Sequence, residues 1–292
     1  MRGNITAVLG CGVIGSSWVD AFSAAGHSVR IWDPVTAWGD GGVQRRSENI
    51  VQCGSAQEAV HGATFVQESG PEDLGAKRKL FTEIASSLSD NALVASSTST
   101  LLPSDLQRGI AFADRVIVGH PFNPPHILPL VEIVGGIETS QDTLDRAMAF
   151  YIGIGKRPIR LHLERAGHLA NRLQAALWRE AVDAVASGQA TVSDVDNAVT
   201  LALGPRWAVM GPFATFALAG GTGGLSQFFQ HLGGPFEWLW DDAKRPDMTP
   251  ELKRLLIEQL DEVLAGRTSD ERRDVRDRRL VEVLSAAKMM AK

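Results

Sequence analysis

His120 and Glu132, both within the stretch GHPFNPPHILPLVEIVGG from Gly119 to Gly136, are residues whose types and placement suit acid/base chemistry. A carboxylate bonded to one ring nitrogen of a histidine fixes its tautomer and stabilises the imidazolium. The other nitrogen is then left to trade a proton with a hydroxyl or carbonyl oxygen. The run Arg115 to Val118 reads as a buried strand, and Leu130 to Val134 as a second strand carrying the acid. Pro121 to Pro125 reads as an irregular loop between them. Pro121, Pro124 and Pro125 fix φ and remove amide donors, so this loop has few conformations and can aim a histidine. By spacing alone a second reading stays open, in which His120 is a loop histidine bonded to backbone and Glu132 an edge-strand acid.

The elements before this pair have the order needed to present a cofactor to it. Ile5 to Leu9 is a short apolar strand, Gly10-Cys11-Gly12-Val13-Ile14-Gly15 follows, and a helical pattern then runs through Ala25 to Gly26. In a dinucleotide site the first glycine makes the tight turn, the second admits the pyrophosphate and the third lets helix pack closely on strand. The helix N-terminus then faces the phosphates. Val29 to Trp32 forms a second strand ending at Asp33, an acid about 20 residues beyond the turn and so placed for the adenosine ribose hydroxyls. It would repel a 2′-phosphate, which makes NAD the expected cofactor rather than NADP. Gly10, Gly12, Val13, Ile14, Gly15 and Asp33 are the expected contacts, and Cys11 reads as a small filler rather than a redox thiol.

Asn49 to Gln52, Thr64 to Gln67 and Ala92 to Ala95 continue the strand pattern, with helices expected over Ala56 to Val60, from Leu74 to Leu88 and from Leu102-Pro103-Ser104. The strand at Ala92 ends in Ser96-Ser97-Thr98-Ser99-Thr100. Strand ends of an open parallel sheet bind ligands, although hydroxyl runs most often only build turns. The fold class is therefore α/β, with a Rossmann-type, doubly wound, mostly parallel sheet over residues 1–163. An all-α domain over residues 164–292 follows. In it, Leu169 to Val185 has helical spacing with Gly188 as a stop, and Thr191 to Asp194 has capping-box form and opens a helix running to Leu203. Thr249-Pro250-Glu251 starts a helix closed by Gly266, and a last one spans Ser269 to Ala287. Its DERRDVRDRR segment reads as a solvated face with mixed salt bridges. The aromatic residues Trp207, Phe213, Phe216, Phe228, Phe229, Phe236, Trp238 and Trp240 are expected mostly in the core, unless two or three line a site for a cationic substrate.

Composition excludes several classes. At 292 residues, 44% hydrophobic and 22% charged, the chain has the makeup of a globular protein with two cores. A net charge of -5 offers no basic face for nucleic acid, and no apolar run approaches the roughly 20 residues that span a bilayer. Small molecules are the expected partners, with neither nucleic acid nor membrane, and no metal is expected. The two cysteines, Cys11 and Cys53, and an N-terminus that enters a strand directly point to a reducing, cytoplasmic setting.

The glycine loop, the acidic strand end, the serine-rich strand end and HPFNPP…LVEIV together resemble the 3-hydroxyacyl-CoA dehydrogenase family over nearly the whole chain. The resemblance implies that His120 and Glu132 are the catalytic pair, that Ser96 binds the substrate hydroxyl, and that Asn171, in Gly167-His168-Leu169-Ala170-Asn171-Arg172-Leu173, completes the site. It also implies cofactor contacts at Glu72, Lys77 and Asn123, and a homodimer formed through the C-terminal helices. His168 stands where relatives more often carry an apolar residue, and reads as a helix-end filler or a substrate-facing group.

Two departures point to a free-acid branch. The long helical hairpin that helps hold CoA is reduced to PVTAWGDGGVQ, Pro34 to Gln44, whose three glycines and proline cannot make a helix pair. Leu203 to Phe213 is similar to a segment of the carnitine and L-gulonate 3-dehydrogenases, which oxidise free 3-hydroxy acids. Arg206, beside Trp207, could clamp a substrate carboxylate through paired donors, or could bond helix-end carbonyls. The expected activity is NAD-dependent oxidation of a carnitine- or gulonate-like 3-hydroxy acid to its 3-keto acid. The alternatives are a true 3-hydroxyacyl-CoA dehydrogenase and a non-catalytic, crystallin-like NAD-binding protein.

Overall fold

The computed structural model describes residues 4–35, 48–266 and 268–290. Most of the shortened segment after Asp33, residues 36–47, lies outside them. Two compact units result, Met1–Arg172 and Leu173–Lys292.

The first unit is an eight-stranded sheet, β1 (Ile5–Leu9), β2 (Ser28–Trp32), β3 (Ile50–Gln52), β4 (Phe65–Glu68), β5 (Leu93–Ser96), β6 (Val116–Pro121), β7 (Leu130–Gly135) and β8 (Arg157–Leu161). The spatial order is β3-β2-β1-β4-β5-β6-β7-β8, and all neighbours are parallel except β6 and β7. β4, β5 and β6 are buried along their whole length, as near-continuous apolar runs in a sheet covered on both faces should be. Alternation assigns the two faces. Ala7, Leu9, Val94, Val116 and Val118 pack with Phe81 and Ile84 of α3 (Leu74–Ile84) and Leu106 of α4 (Pro103–Gln107). Val8, Ala95, Ile117 and Ile133 pack with Trp18 and Phe22 of α1 (Val13–Ala24) and Ala147 and Tyr151 of α5 (Gln141–Gly153). α2 (Ala56–Val60) falls where its pattern placed it, whereas α3 stops four residues short of Leu88 and Pro121 still belongs to β6.

α6 (Ala170–Ala186) begins in the first unit and continues into the second, which also contains α7 (Val192–Ala198), α8 (Gly204–Val209), α9 (Pro212–Ala219), α10 (Gly224–Asp242), α11 (Pro250–Leu264) and α12 (Ser269–Met290). The expected capping box at Thr191 and Asp194 is formed. The helix expected to reach Leu203 instead passes into a π turn, Val199–Leu203, before α8. Pro205 explains this, since it lacks an amide proton and its ring crowds the carbonyl four residues earlier, so the wider turn accommodates it. The expectation that most of the aromatic residues are core is corrected. Phe216, Phe228 and Phe236 form a cluster with centroids 4.8 to 5.4 Å apart, and Phe229 meets its edge at 5.9 Å from Phe228. Phe213, Phe229, Trp238 and Trp240 are 61% exposed or more, and Trp207 is also exposed. They lie on α8, α9 and α10, which carry apolar residues that the rest of the described chain does not cover.

Candidate active site

His120 and Glu132 are direct register partners on the antiparallel β6–β7 pair, which brings the two side chains to one face of the hairpin. His120 Nδ1 lies 2.7 Å from Glu132 Oε2, with both side chains buried. The other carboxylate oxygen accepts from the backbone amides of Leu169 and Ala170, each at 2.9 Å, where α6 begins. Two amide donors at the start of this helix thus meet a negative charge, as the helix dipole favours. Burial pushes the Glu132 carboxyl up, but the bonds from His120, Ala170 and Leu169 together outweigh it and hold the group below the usual value. A carboxylate only accepts, so Nδ1 carries a proton toward Glu132, and in the neutral form of the ring the lone pair is on Nε2. In that form Nε2 has the lone pair that a proton acceptor needs.

The proline loop after His120 is pinned from below. The buried Lys156 ammonium donates to the carbonyls of Pro125 and, at 3.2 Å, Leu128. Ser17 of α1 accepts from the His126 amide at 2.9 Å and lies 2.7 Å from its Nδ1. Asn123 is exposed on this loop. Asn171, half-buried, comes directly after the two amides that Glu132 caps.

Two assignments at the β5 end change. Ser96 is fully buried, and its hydroxyl donates to Glu68 Oε2 at 2.5 Å instead of opening toward a substrate. Lys77, expected at the cofactor, is equally enclosed, with its ammonium 2.7 and 2.8 Å from the two Glu68 oxygens and 3.3 Å from the Gly70 carbonyl. These three residues form an internal polar knot beneath the strand ends. Glu72 closes the turn above it, its Oε1 accepting from the Thr98 hydroxyl at 2.6 Å and from the amides of Ser99 and Thr100 at 3.0 and 2.8 Å. Burial raises the Glu72 carboxyl, and the Thr98 and Thr100 bonds with the nearby Lys77 charge more than reverse this. Of the hydroxyl run, Ser97 and Ser99 remain partly open. Ser97 accepts from Gln67 at 2.8 Å, while the Ser99 hydroxyl has, among the described residues, only a long 3.4 Å approach to Glu72.

At the glycine loop, Gly10 has φ +93°, and a Cβ on Gly15 would stand 1.8 Å from the Gly10 carbonyl oxygen. Both glycines are required by the fold itself. Gly12 differs, because a Cβ there would meet nothing within 4 Å. It begins α1 without a side-chain cap, no acid occupies the first turn, and Val13 beside it is 75% exposed. An open, uncapped helix start fits a pyrophosphate. Asp33 accepts from the Cys11 amide at 2.7 Å, which sets its carboxylate at the edge of this cradle. Cys11 itself is buried, and burial followed by the Asp33 charge pushes its thiol up to about 12, so it is inert filler.

His168 carries more than a filler should. Its φ is +49°, a left-handed conformation that costs a non-glycine residue about 1 to 2 kcal/mol. Its ring is buried, with the centroid 5.1 Å from that of His120, and Nε2 lies 3.1 Å from the Thr98 carbonyl oxygen. Sequence periodicity gave no signal for this contact, since it depends on the backbone turn at Gly167 and His168. Arg206 and Trp207 stand exposed on α8 of the helical unit.

Residues 38–164 match the family model for the NAD-binding domain of 3-hydroxyacyl-CoA dehydrogenase, and residues 167–252 match that for its C-terminal domain. The chain is 41% identical to an L-carnitine dehydrogenase of Streptomyces coelicolor over 96% of its own length and 93% of the relative's. It is 38% identical to the L-carnitine dehydrogenase of Pseudomonas syringae, with 97% and 94% covered. Among solved structures, a 5-formyl-3-hydroxy-2-methylpyridine 4-carboxylic acid 5-dehydrogenase superposes with a TM-score of 0.79 at 24% identity, covering 99% of this chain and 98% of that one. A 3-hydroxyacyl-CoA dehydrogenase of Archaeoglobus fulgidus gives 0.71 at 24%, covering 97% and 99%. At these identities the two structures speak for the fold.

Proposed function

The chain belongs to the 3-hydroxyacyl-CoA dehydrogenase family and is an NAD-dependent dehydrogenase of 3-hydroxy acids, and from this premise we propose that it oxidises a free acid with His120 as its general base. Bound NAD would supply the acceptor for the hydride that leaves C3. His120 Nε2 takes the proton from the C3 hydroxyl, and Glu132, bonded to Nδ1, stabilises the imidazolium that forms. Ser99, in place of Ser96, and Asn171 orient the substrate oxygen. Asp33, the glycine loop and Asn123 hold the cofactor.

The single observation carrying this reading is the 2.7 Å bond between the buried side chains of His120 and Glu132, which engages Nδ1 and leaves Nε2 for the substrate. The free-acid assignment draws on the shortened segment after Asp33 and on relatives whose names specify carnitine. NADH formation with carnitine, L-gulonate, 3-hydroxybutyrate and 3-hydroxybutyryl-CoA, measured side by side, tests it. Turnover of a free acid is expected, and activity confined to the CoA ester overturns the assignment. His120→Gln should lose about 10²- to 10⁴-fold in kcat while NADH binding persists; undiminished turnover would remove the base from His120.

The same reading includes a homodimer formed through the helical unit, supported by the exposed Trp178, Ile257 and Leu260 on α6 and α11. Among the described residues no helix is long and apolar enough to cross a membrane. The unbridged, buried Cys11 and Cys53 fit a reducing, cytoplasmic setting.

A further inference from the structure

His168 Nδ1 is a buried side-chain atom with no hydrogen-bond partner among the described residues. Its chemical state follows from the other end of the ring. Nε2 faces the Thr98 carbonyl at 3.1 Å, and a carbonyl only accepts, so Nε2 carries the proton and Nδ1 presents a lone pair. Burial, the largest influence on this ring, disfavours its charged form, and the net effect keeps it neutral. An enclosed acceptor without a donor is uncommon in a folded protein and calls for a cause.

The turn that carries the ring is held from two sides. Glu132 accepts from the amides of Leu169 and Ala170 just after it, and Thr98 accepts from the ring itself. The left-handed backbone at His168 is thereby maintained despite its cost. Such local strain concentrates where a side chain must be aimed. The ring it aims stands beside that of His120, centroid to centroid 5.1 Å, and Phe122 borders His120 at the same separation. The His168 imidazole, kept from its charged form chiefly by burial, is thus an immediate neighbour of the His120 ring.

Resting on the reading of His120 as the base, we propose that His168 is a specificity-determining residue whose Nδ1 accepts a hydrogen bond from a hydroxyl on a carbon adjacent to C3, so that the substrate class is a polyhydroxylated 3-hydroxy acid. A methyl group in that place leaves the lone pair unpaired, and a trimethylammonium group has no N–H or O–H to give. A site built to accept a hydrogen bond discriminates against analogues that lack the donor, because its own buried polar atom is then left unsatisfied.

Three acids with one carbon skeleton isolate this contact: 3,4-dihydroxybutyrate, 3-hydroxybutyrate and carnitine, which differ only in what C4 carries. With NAD present, kcat/KM for 3,4-dihydroxybutyrate should exceed that for the other two by about tenfold or more, mainly through KM. His168→Phe should collapse this ratio toward one. His168→Asn, which keeps a side-chain acceptor and tolerates left-handed backbone, should restore much of it. Titration of the same acids into the NADH-loaded protein reads the same ratio without turnover, and thermal denaturation of each variant separates a folding defect from a lost contact. A ratio unchanged by His168→Phe, or a wild-type preference for carnitine or 3-hydroxybutyrate, overturns the proposal. The two readings fail separately: acids that bind in the expected order without being oxidised would count against His120 as base and leave His168 standing.

Discussion

Glu132 has all its strong contacts in use, with Oε2 on His120 and Oε1 on two helix-start amides, so one carboxylate serves both the reacting pair and the anchoring of α6. Its carboxyl is held below the ordinary 4.5, which means the folded chain binds that proton more weakly than the unfolded one. The stabilisation is fully present above about pH 4.5 and is lost as pH falls through the lower folded value. Glu132→Gln should therefore cost about 1.5 to 3 kcal/mol at neutral pH and flatten the fall in Tm between pH 5 and 3. Thermal denaturation across that range checks it, and parallel curves for the two proteins would contradict it. Ser96 and Ser99 separate stability from catalysis in a similar way. Ser96→Ala removes a buried donor from Glu68 and should cost about 1 to 3 kcal/mol in stability while kcat/KM holds. Ser99→Ala should show the reverse, a lower kcat/KM at unchanged Tm, and a variant pair with equal effects on turnover would reject the reassignment.

At the scale of elements, the three glycines of the first turn carry different demands. Gly10 and Gly15 answer to the chain's own backbone, Gly12 to none of it. Gly12→Ala should thus fold, losing about 1 kcal/mol as a poorer helix cap, yet weaken NADH binding tenfold or more because the methyl occupies the approach to the pyrophosphate. Unaltered NADH affinity by calorimetry would show that the cofactor does not approach there. This turn was legible in the sequence because strand, glycine spacing and acid all encode one local geometry. The β6–β7 hairpin was legible because its apolar runs have strand period on both sides of a proline loop. Ser96 was not, since the last residue of a strand belongs to one face or the other according to where the strand ends. It shares the parity of Val94 and points toward Glu68 and Lys77. His168 was not legible either: its direction comes from a left-handed turn held by partners far along the chain, at Thr98 and Glu132, and no periodicity records such contacts. The π turn before Pro205 likewise follows from a clash that the capping signal at Thr191 cannot announce.

For the molecule as a whole, the contrast between its two units decides what association to expect. The sheet of the first unit is packed with apolar residues on both faces, whereas the helical unit leaves the large side chains Trp178, Phe229, Trp238, Trp240 and Ile257 more than half exposed. Trp178 and Ile257 line one groove of about 590 Å³ with Leu177, Val195, Leu256 and Leu260. A continuous apolar surface of this kind is unusual on a monomer and resembles the centre of a permanent interface, where aromatic anchors dominate the energy. A second copy of the chain supplies the same surface and satisfies the symmetry of a two-fold contact. Light scattering should give twice the monomer mass at micromolar concentration. Trp178→Ala should weaken association by about 2 kcal/mol, roughly thirtyfold in Kd. A lysine at Ile257 should act in the same direction by placing a charge where burial is required. A wild-type chain that stays monomeric at every concentration while turning over substrate would show that the helical face is not a subunit interface, and the exposed aromatic residues would then need another explanation.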